Sequence, residues 1–172
     1  MRVWYRIEQL WQSLTAKPTE EALEEARKLL SPKLMALFNS MQASEQAHSL
    51  RIFKQIRKKG YNQVELLVAA LLHDVGKIRH PLRVWERVVI VIGRGLFQNR
   101  VKKWGQGEPD GWRRAFVVAE KHPEWGAELA KQAGALPQTV ALIRHHQESS
   151  EKLATQVNRN WHEILQRYDD LE

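Results

Sequence analysis

Seven histidines and no cysteine define the chemistry open to this chain of 172 residues. Without thiols there is no disulfide framework, no cysteine nucleophile and no thiolate metal site, so a metal would have to be held by His, Asp or Glu. The most informative pair is His73-Asp74. It closes an almost wholly apolar run, Val64–Leu72, and is followed at once by Val75-Gly76-Lys77. Two ligand-type side chains at the end of an apolar helix are costly to desolvate unless something compensates them. A divalent cation is the compensation that suits an imidazole beside a carboxylate. Taken alone, the pair reads more simply as a helix C-cap with a hydrogen-bonded core histidine.

The pair has company. His48 lies mid-helix in Gln46-Ala47-His48-Ser49-Leu50, near inward-facing positions, and His122 precedes Pro123 at a predicted helix start. His145 and His146 end the helix that begins at Pro137, and Asp169 falls late on the last helix. Each alone is weak, because a single histidine on an apolar face is more often a satisfied core residue. Together they put an imidazole or a carboxylate on five separate helices, as in a site assembled inside a helical bundle.

In order, a helical His, then LLHDVGK (71–77), HPEWGAELA (122–130), IRHH (143–146) and a late Asp are similar to the HD superfamily of metal-dependent phosphohydrolases, over about residues 43–170. The resemblance implies a minimal metal set of His48, His73, Asp74 and Asp169. The binuclear branch, which includes the HD-GYP phosphodiesterases and bacterial cyclic-di-AMP phosphodiesterases, implies further ligands at His122, His145 and His146, although some relatives use only one histidine of the adjacent pair. Asp74 would then bridge two metals, one held by His48, His73 and Asp169 and the other by His122, His145 and His146. His80 and His162 match no motif position and read as surface residues.

There are departures from the family pattern. Gln147-Glu148-Ser149-Ser150 stands where the Gly-Tyr-Pro signature would follow, which argues against cyclic-di-GMP. Ser44 replaces the carboxylate that trinuclear members carry one turn before the first His, which argues against a third metal. Tyr168 stands where relatives have a small residue, leaving Asp170 as an alternative to Asp169.

Helices must position these groups, and the sequence supplies them. Pro18 and Thr19 open one helix before Glu20, and Ser31-Pro32 opens the next. A third is predicted over 44–59, stopped by Gly60. Val64–Leu72 is apolar nearly all round and should be buried. Residues 83–104 read as one long basic helix loosened near Gly93 and Gly95, and 105–111 as a loop. Further helices are expected over 112–120, 123–133, 137–146 and 158–171. No β-alternation of useful length, repeat or low-complexity tract appears. The expectation is an all-α, single-domain helical bundle of the HD type. Residues 1–42 would form an N-terminal helical cap on a core of 43–172, with a basic helical insertion at about 79–114.

Apolar residues make up 43% and charged residues 27% of the chain, ordinary globular values, and the net charge is +7. The positive excess gathers in the insertion at Arg79, Arg83, Arg87, Arg94, Arg100, Lys102 and Lys103, then Arg113 and Arg114. Such a run reads first as a solvated helix face, but it also suits an anionic partner. Residues 1–14 are amphipathic with no small-residue cleavage site, and no apolar run is long enough to span a bilayer, so a cytoplasmic location is expected.

The leading reading is a phosphohydrolase or phosphodiesterase acting on a nucleotide or dinucleotide. One or two divalent transition-metal ions (Fe, Mn, Ni, Co or Zn) would be the cofactor, and Asp74 and Lys77 would sit at the reacting centre. Lys77, Arg79 and Arg83 are the candidate phosphate contacts. Lys77 reads equally as a lysine facing a helix dipole. Trp85, Trp104 and Trp112 are weak candidates for base stacking, because tryptophans on amphipathic helices are usually core or interface residues. The alternatives are a di-iron oxygenase of the same superfamily and a non-catalytic nucleotide- or nucleic-acid-binding signalling module. The basic segment leaves nucleic acid or a membrane surface open as a partner.

Overall fold

A computed structural model describes residues 17–153 and 157–169. The amphipathic stretch 1–14, Asp170 and the expected end of the last helix at Leu171 lie outside the described residues. Among the described residues every regular element is helical, so the chain is all-α.

Helix α1 (Glu20–Leu29) starts where Thr19 Oγ1 accepts the Ala22 N–H at 3.3 Å. Glu20 and Glu21 in its first turn and Arg27 and Lys28 in its last complement the helix dipole. Helix α2 (Pro32–Asn39) is capped by Ser31, with Pro32 in the first turn, where its missing N–H costs nothing. Helix α3 (Ala43–Lys58) carries His48 and ends at Gly60, whose φ of +90° confirms the expected glycine stop. Helix α4 (Val64–Leu72) is the bundle's central rod, with Leu66 through Leu72 all buried. Each buried Leu contributes about 1.5–3 kcal/mol. The register of α4 is therefore firmly held, and with it the position of His73. Past His73 the backbone tightens into a 3-10 turn, Val75–Arg79.

The insertion differs from its expectation. The single helix predicted over 83–104 is two, α5 (Val84–Leu96) and α6 (Gln98–Trp104), broken at Phe97. Gly93 and Gly95 each lower helix propensity by about 1 kcal/mol. The Phe97 N–H closes α5 on the Gly93 carbonyl at 2.8 Å, and the break turns α6 so that Val101 is buried and Trp104 meets Phe116.

The two helices expected over 112–120 and 123–133 are instead one. After a 3-10 turn at Gly111–Arg113, α7 (Arg114–Gln132) runs straight through Pro123. An interior proline costs about 3 kcal/mol. Burial of Phe116, Val117, Val118, Ala127 and Ala130 on either side of it offsets that cost. Helix α8 (Pro137–His145), a 3-10 turn (Ser150–Lys152) and α9 (Arg159–Asp169) complete the bundle.

One cluster forms the main core, including Phe38, Phe53, Leu71, Ile143 and Leu165, and it includes Ala22, Ala26, Leu30 and Leu34 from α1, α2 and the link between them. A smaller cluster of Leu82, Ile90, Ala115, Val118 and Ala119 seats α5 on α7. Helix α7 packs on the Val75–Arg79 turn and on α8, and α9 closes against α3 and α4. A Cβ on Gly76 would stand 2.0 Å from the His122 carbonyl oxygen and 2.6 Å from the Gly126 nitrogen. Only glycine lets the turn after Asp74 lie this close to α7. That contact brings Asp74 and His122 together.

Candidate metal centre

Three histidines are aimed by one device. Nδ1 of His73, His122 and His146 lies 3.0, 3.0 and 2.8 Å from the carbonyls of Ala70, Val118 and Ile143 in the preceding turn of each chain segment. A carbonyl only accepts, so each Nδ1 carries the proton and each Nε2 presents a lone pair. All three Nε2 atoms are buried and have no hydrogen-bond partner.

The ligand atoms gather in two groups, His48 with His73 and Asp169, and Asp74 with His122 and His146, with the atoms of each group within 4.8 Å of one another. His48 Nε2 lies 3.0 Å from Asp169 Oδ1, and His73 Nε2 lies 3.4 Å from the same oxygen. Asp74 faces both groups: Oδ1 is 3.1 Å from His122 Nε2 and Oδ2 is 3.6 Å from His73 Nε2. The His73–His146 and His122–His146 ring centroids are 5.3 and 5.2 Å apart, which joins the groups into one centre.

Lone pairs from three imidazoles aimed at two carboxylates would repel one another without a proton or cation between them. This donor set of neutral imidazole and carboxylate suits a divalent transition metal, with the other ring nitrogen anchored as metal-binding histidines usually are.

The electrostatics agree for the two carboxylates and for His122 and His146. Burial would raise Asp74, but Lys77, His73 and His122 hold its carboxyl well below the usual range. Burial acts the same way on Asp169, and His73 and His48 outweigh it, so it too is held well below. Both groups are therefore carboxylates. Burial, reinforced by His122 and His73, lowers His146 to about 3, and burial also lowers His122 despite Asp74. His73 is raised because Asp74 and Asp169 outweigh its burial.

The adjacent pair expected at the end of α8 is divided. His146 points inward at 2% exposure, whereas His145 turns outward, its Nδ1 2.9 Å from Glu148 Oε1. His145 belongs to neither ligand group among the described residues. Successive residues at a helix end point about 100° apart, and here the outward direction falls to His145, toward Glu148.

His162, expected at the surface, is instead fully buried. Its Nε2 donates to the His145 carbonyl at 2.8 Å, and Gln166 Nε2 donates to the His146 and Glu148 carbonyls at 2.9 and 2.7 Å. His162, Gln166 and Asp169 recur at helical spacing on one face of α9. The first two clamp the end of α8 and so fix where Asp169 enters the centre. That spacing was the available signal. His80 is half-buried against Trp125, at 5.1 Å between ring centroids.

Sequence reasoning also missed Glu45, one turn before His48 and 3% exposed, paired with Arg87 at 2.9 Å. Burial raises its carboxyl despite Lys77 and Arg87. Arg114 pairs with Glu86 in the same way, so two cations of the basic insertion neutralise buried acids.

Lys77 Nζ lies 2.6 Å from Asp74 Oδ2, at the centre. Arg79 pairs with Glu128 at 2.9 Å on the surface, and Arg83 is exposed at the start of α5. Neither borders the open pocket of about 790 Å³ beside the centre. Arg94, Lys102 and Arg144 border it instead, with Glu120, Glu124, His146 and Asp169. Trp85 and Trp112 are exposed away from the pocket, and Trp104 packs among Phe97, Trp112 and Phe116.

Fold and site together define an all-α helical domain with a paired histidine–aspartate centre able to hold metal ions. Residues 46–172 match the HD domain, and the chain belongs to that family, one of metal-dependent hydrolases. Comparison with curated proteins and with solved structures gave no significant match. Among the described residues no helix is long and apolar enough to cross a membrane.

Proposed function

We propose that this protein is a phosphoric ester hydrolase that acts on a nucleotide or dinucleotide at a two-metal centre. His48, His73 and Asp169 would hold one divalent cation, His122 and His146 the other, and Asp74 would bridge them. The observation that carries this reading is the pair of ligand groups with inward-facing, partnerless Nε2 atoms, one oxygen of Asp74 turned toward each. Bound there, two cations would make water acidic enough to attack phosphorus near neutral pH and would neutralise charge on the phosphoryl oxygens.

The chain's own groups do the positioning. Lys77 holds Asp74 in place and is the cation nearest the centre. The pocket volume lies within the range of small-molecule sites. Arg94, Lys102 and Arg144 on its walls suit a second phosphate or a polyphosphate. They replace Arg79 and Arg83 as the proposed phosphate contacts. Of the cap expected over residues 1–42, we read the described part, α1 and α2, as packed onto the catalytic core, supported by the way it buries Ala22, Ala26, Leu34 and Phe38 in the common cluster.

The test joins metal content to turnover. Purified protein is expected to carry close to two transition-metal ions and, with manganese, to hydrolyse bis(p-nitrophenyl) phosphate; Asp74→Ala should lose both properties. Protein that holds two ions but cleaves neither this diester nor any nucleotide or dinucleotide would overturn the hydrolase reading.

A further inference from the structure

Helix α5 is built inside out. Its buried residues are Glu86, Ile90 and Gly93, one of them charged. Trp85, Val89, Ile92 and Leu96 recur at i, i+4, i+7 and i+11 and form one stripe, widened by Val84, Val88 and Val91. None of these seven is buried, and Trp85 and Leu96 are 55% and 63% exposed. A surface helix normally turns its charges outward and its apolar stripe inward. The stripe continues into Phe97 and, through Trp104, to Trp112, which is 63% exposed. Five of the seven large exposed hydrophobics among the described residues lie in this one segment.

The charge beside the patch is mostly positive, with exposed Glu108 and Asp110 near Trp112 the exceptions. Between Glu86 and Glu108 there is no acidic residue, while Arg100, Lys102 and Lys103 are exposed beyond α5 and Arg113 is exposed beside Trp112. We propose that the outer face of α5, with Leu96, Phe97 and Trp112, is a docking surface for an anionic lipid bilayer. Valine, isoleucine and leucine would enter the acyl boundary, the tryptophans would sit at the headgroup level, and Arg100, Lys103 and Arg113 would meet lipid phosphates. A second copy of this chain is a poorer occupant, because pairing the patch with itself brings two cationic rims together. Nucleic acid is poorer too, since most of the patch (Val84, Val88, Val89, Val91, Ile92 and Leu96) is aliphatic and offers bases no stacking surface.

Docking is independent of the hydrolase reading and is tested without turnover. The full-length protein is sedimented with vesicles of phosphatidylcholine alone and of phosphatidylcholine mixed with phosphatidylglycerol. The wild type is expected to partition onto the mixed vesicles only, and less as salt is raised. Leu96→Ser with Trp112→Ser, and separately Arg100→Glu with Lys103→Glu, should each lower partitioning about tenfold or more, with unchanged circular dichroism. All four sites are exposed, so the fold should survive either pair. No partitioning of the wild type onto mixed vesicles overturns the proposal. So does partitioning that survives both variants, which would assign it to another part of the chain. A dimer that only the α5 variant abolishes, or DNA binding, without vesicle binding overturns it in favour of those partners.

Discussion

Replacing Asp74 by asparagine keeps the shape of the side chain and removes the charge that both ligand groups share. In metal-free protein, Asp74 Oδ1 stands 3.1 Å from a His122 Nε2 that also carries a lone pair. Three such nitrogens lack partners. A buried polar atom left unsatisfied costs about 1–3 kcal/mol, so the empty centre costs roughly 3–9 kcal/mol. Metal at about a thousand times its Kd would return about 4 kcal/mol to the folded state. In a chain of this size 1 kcal/mol moves Tm by about 2–4 °C. Wild-type protein in manganese should therefore melt about 8–16 °C above the same protein in chelator. In Asp74→Asn the amide N–H can donate to His122 Nε2, and its oxygen can still accept from Lys77. The variant in chelator exchanges the carboxylate's attraction to Lys77 for a hydrogen bond to His122 and should melt close to wild type in chelator, and manganese should add almost nothing. Thermal melts followed by circular dichroism, each run in chelator and in manganese, read all four states. A wild-type difference under about 2 °C, or an Asp74→Asn variant that gains as much from manganese as wild type, would refute the reasoning.

The other predictions separate neighbours that the sequence cannot. His146→Ala should lower metal content from two ions to one per chain, while His145→Ala should leave it at two, because His145 pairs with Glu148 outside the centre; elemental analysis of both decides it. Gly76→Ala should destabilise the protein by at least about 1–3 kcal/mol in denaturant melts and lower its metal content, since the new methyl would meet α7 backbone rather than a side chain that can move.

The site depends on segments that bear no ligand. Helix α9 contributes one carboxylate to the centre, yet its larger role is to hold the end of α8 through His162 and Gln166. The Glu45–Arg87 and Glu86–Arg114 pairs tie α5 to α3 and α7. That fastening keeps α5 on the bundle although its outer face is apolar, so the insertion has two different sides. Its inner edge lines the pocket at Arg94 and Val101, and its outer face is the one we assign to lipid.

Much was legible in the residues alone. Apolar periodicity, Ser31-Pro32, Gly60 and the run Val64–Leu72 were enough for an all-α bundle with a buried central helix, because burial and capping are local in sequence. The His48, His73-Asp74, His122 and Asp169 set was legible as an ordered motif. Other features were not, and three of them depend on contacts between distant segments. Continuity of α7 through Pro123 depends on the turn at Gly76 and on α8, which bury enough apolar surface to outweigh a broken helical bond. The choice of His146 over His145 depends on where α9 grips the end of α8, and the burial of His162 on the same grip. Spacing along a chain says which side chains share a helix face; which neighbour that face meets is decided only when the helices pack.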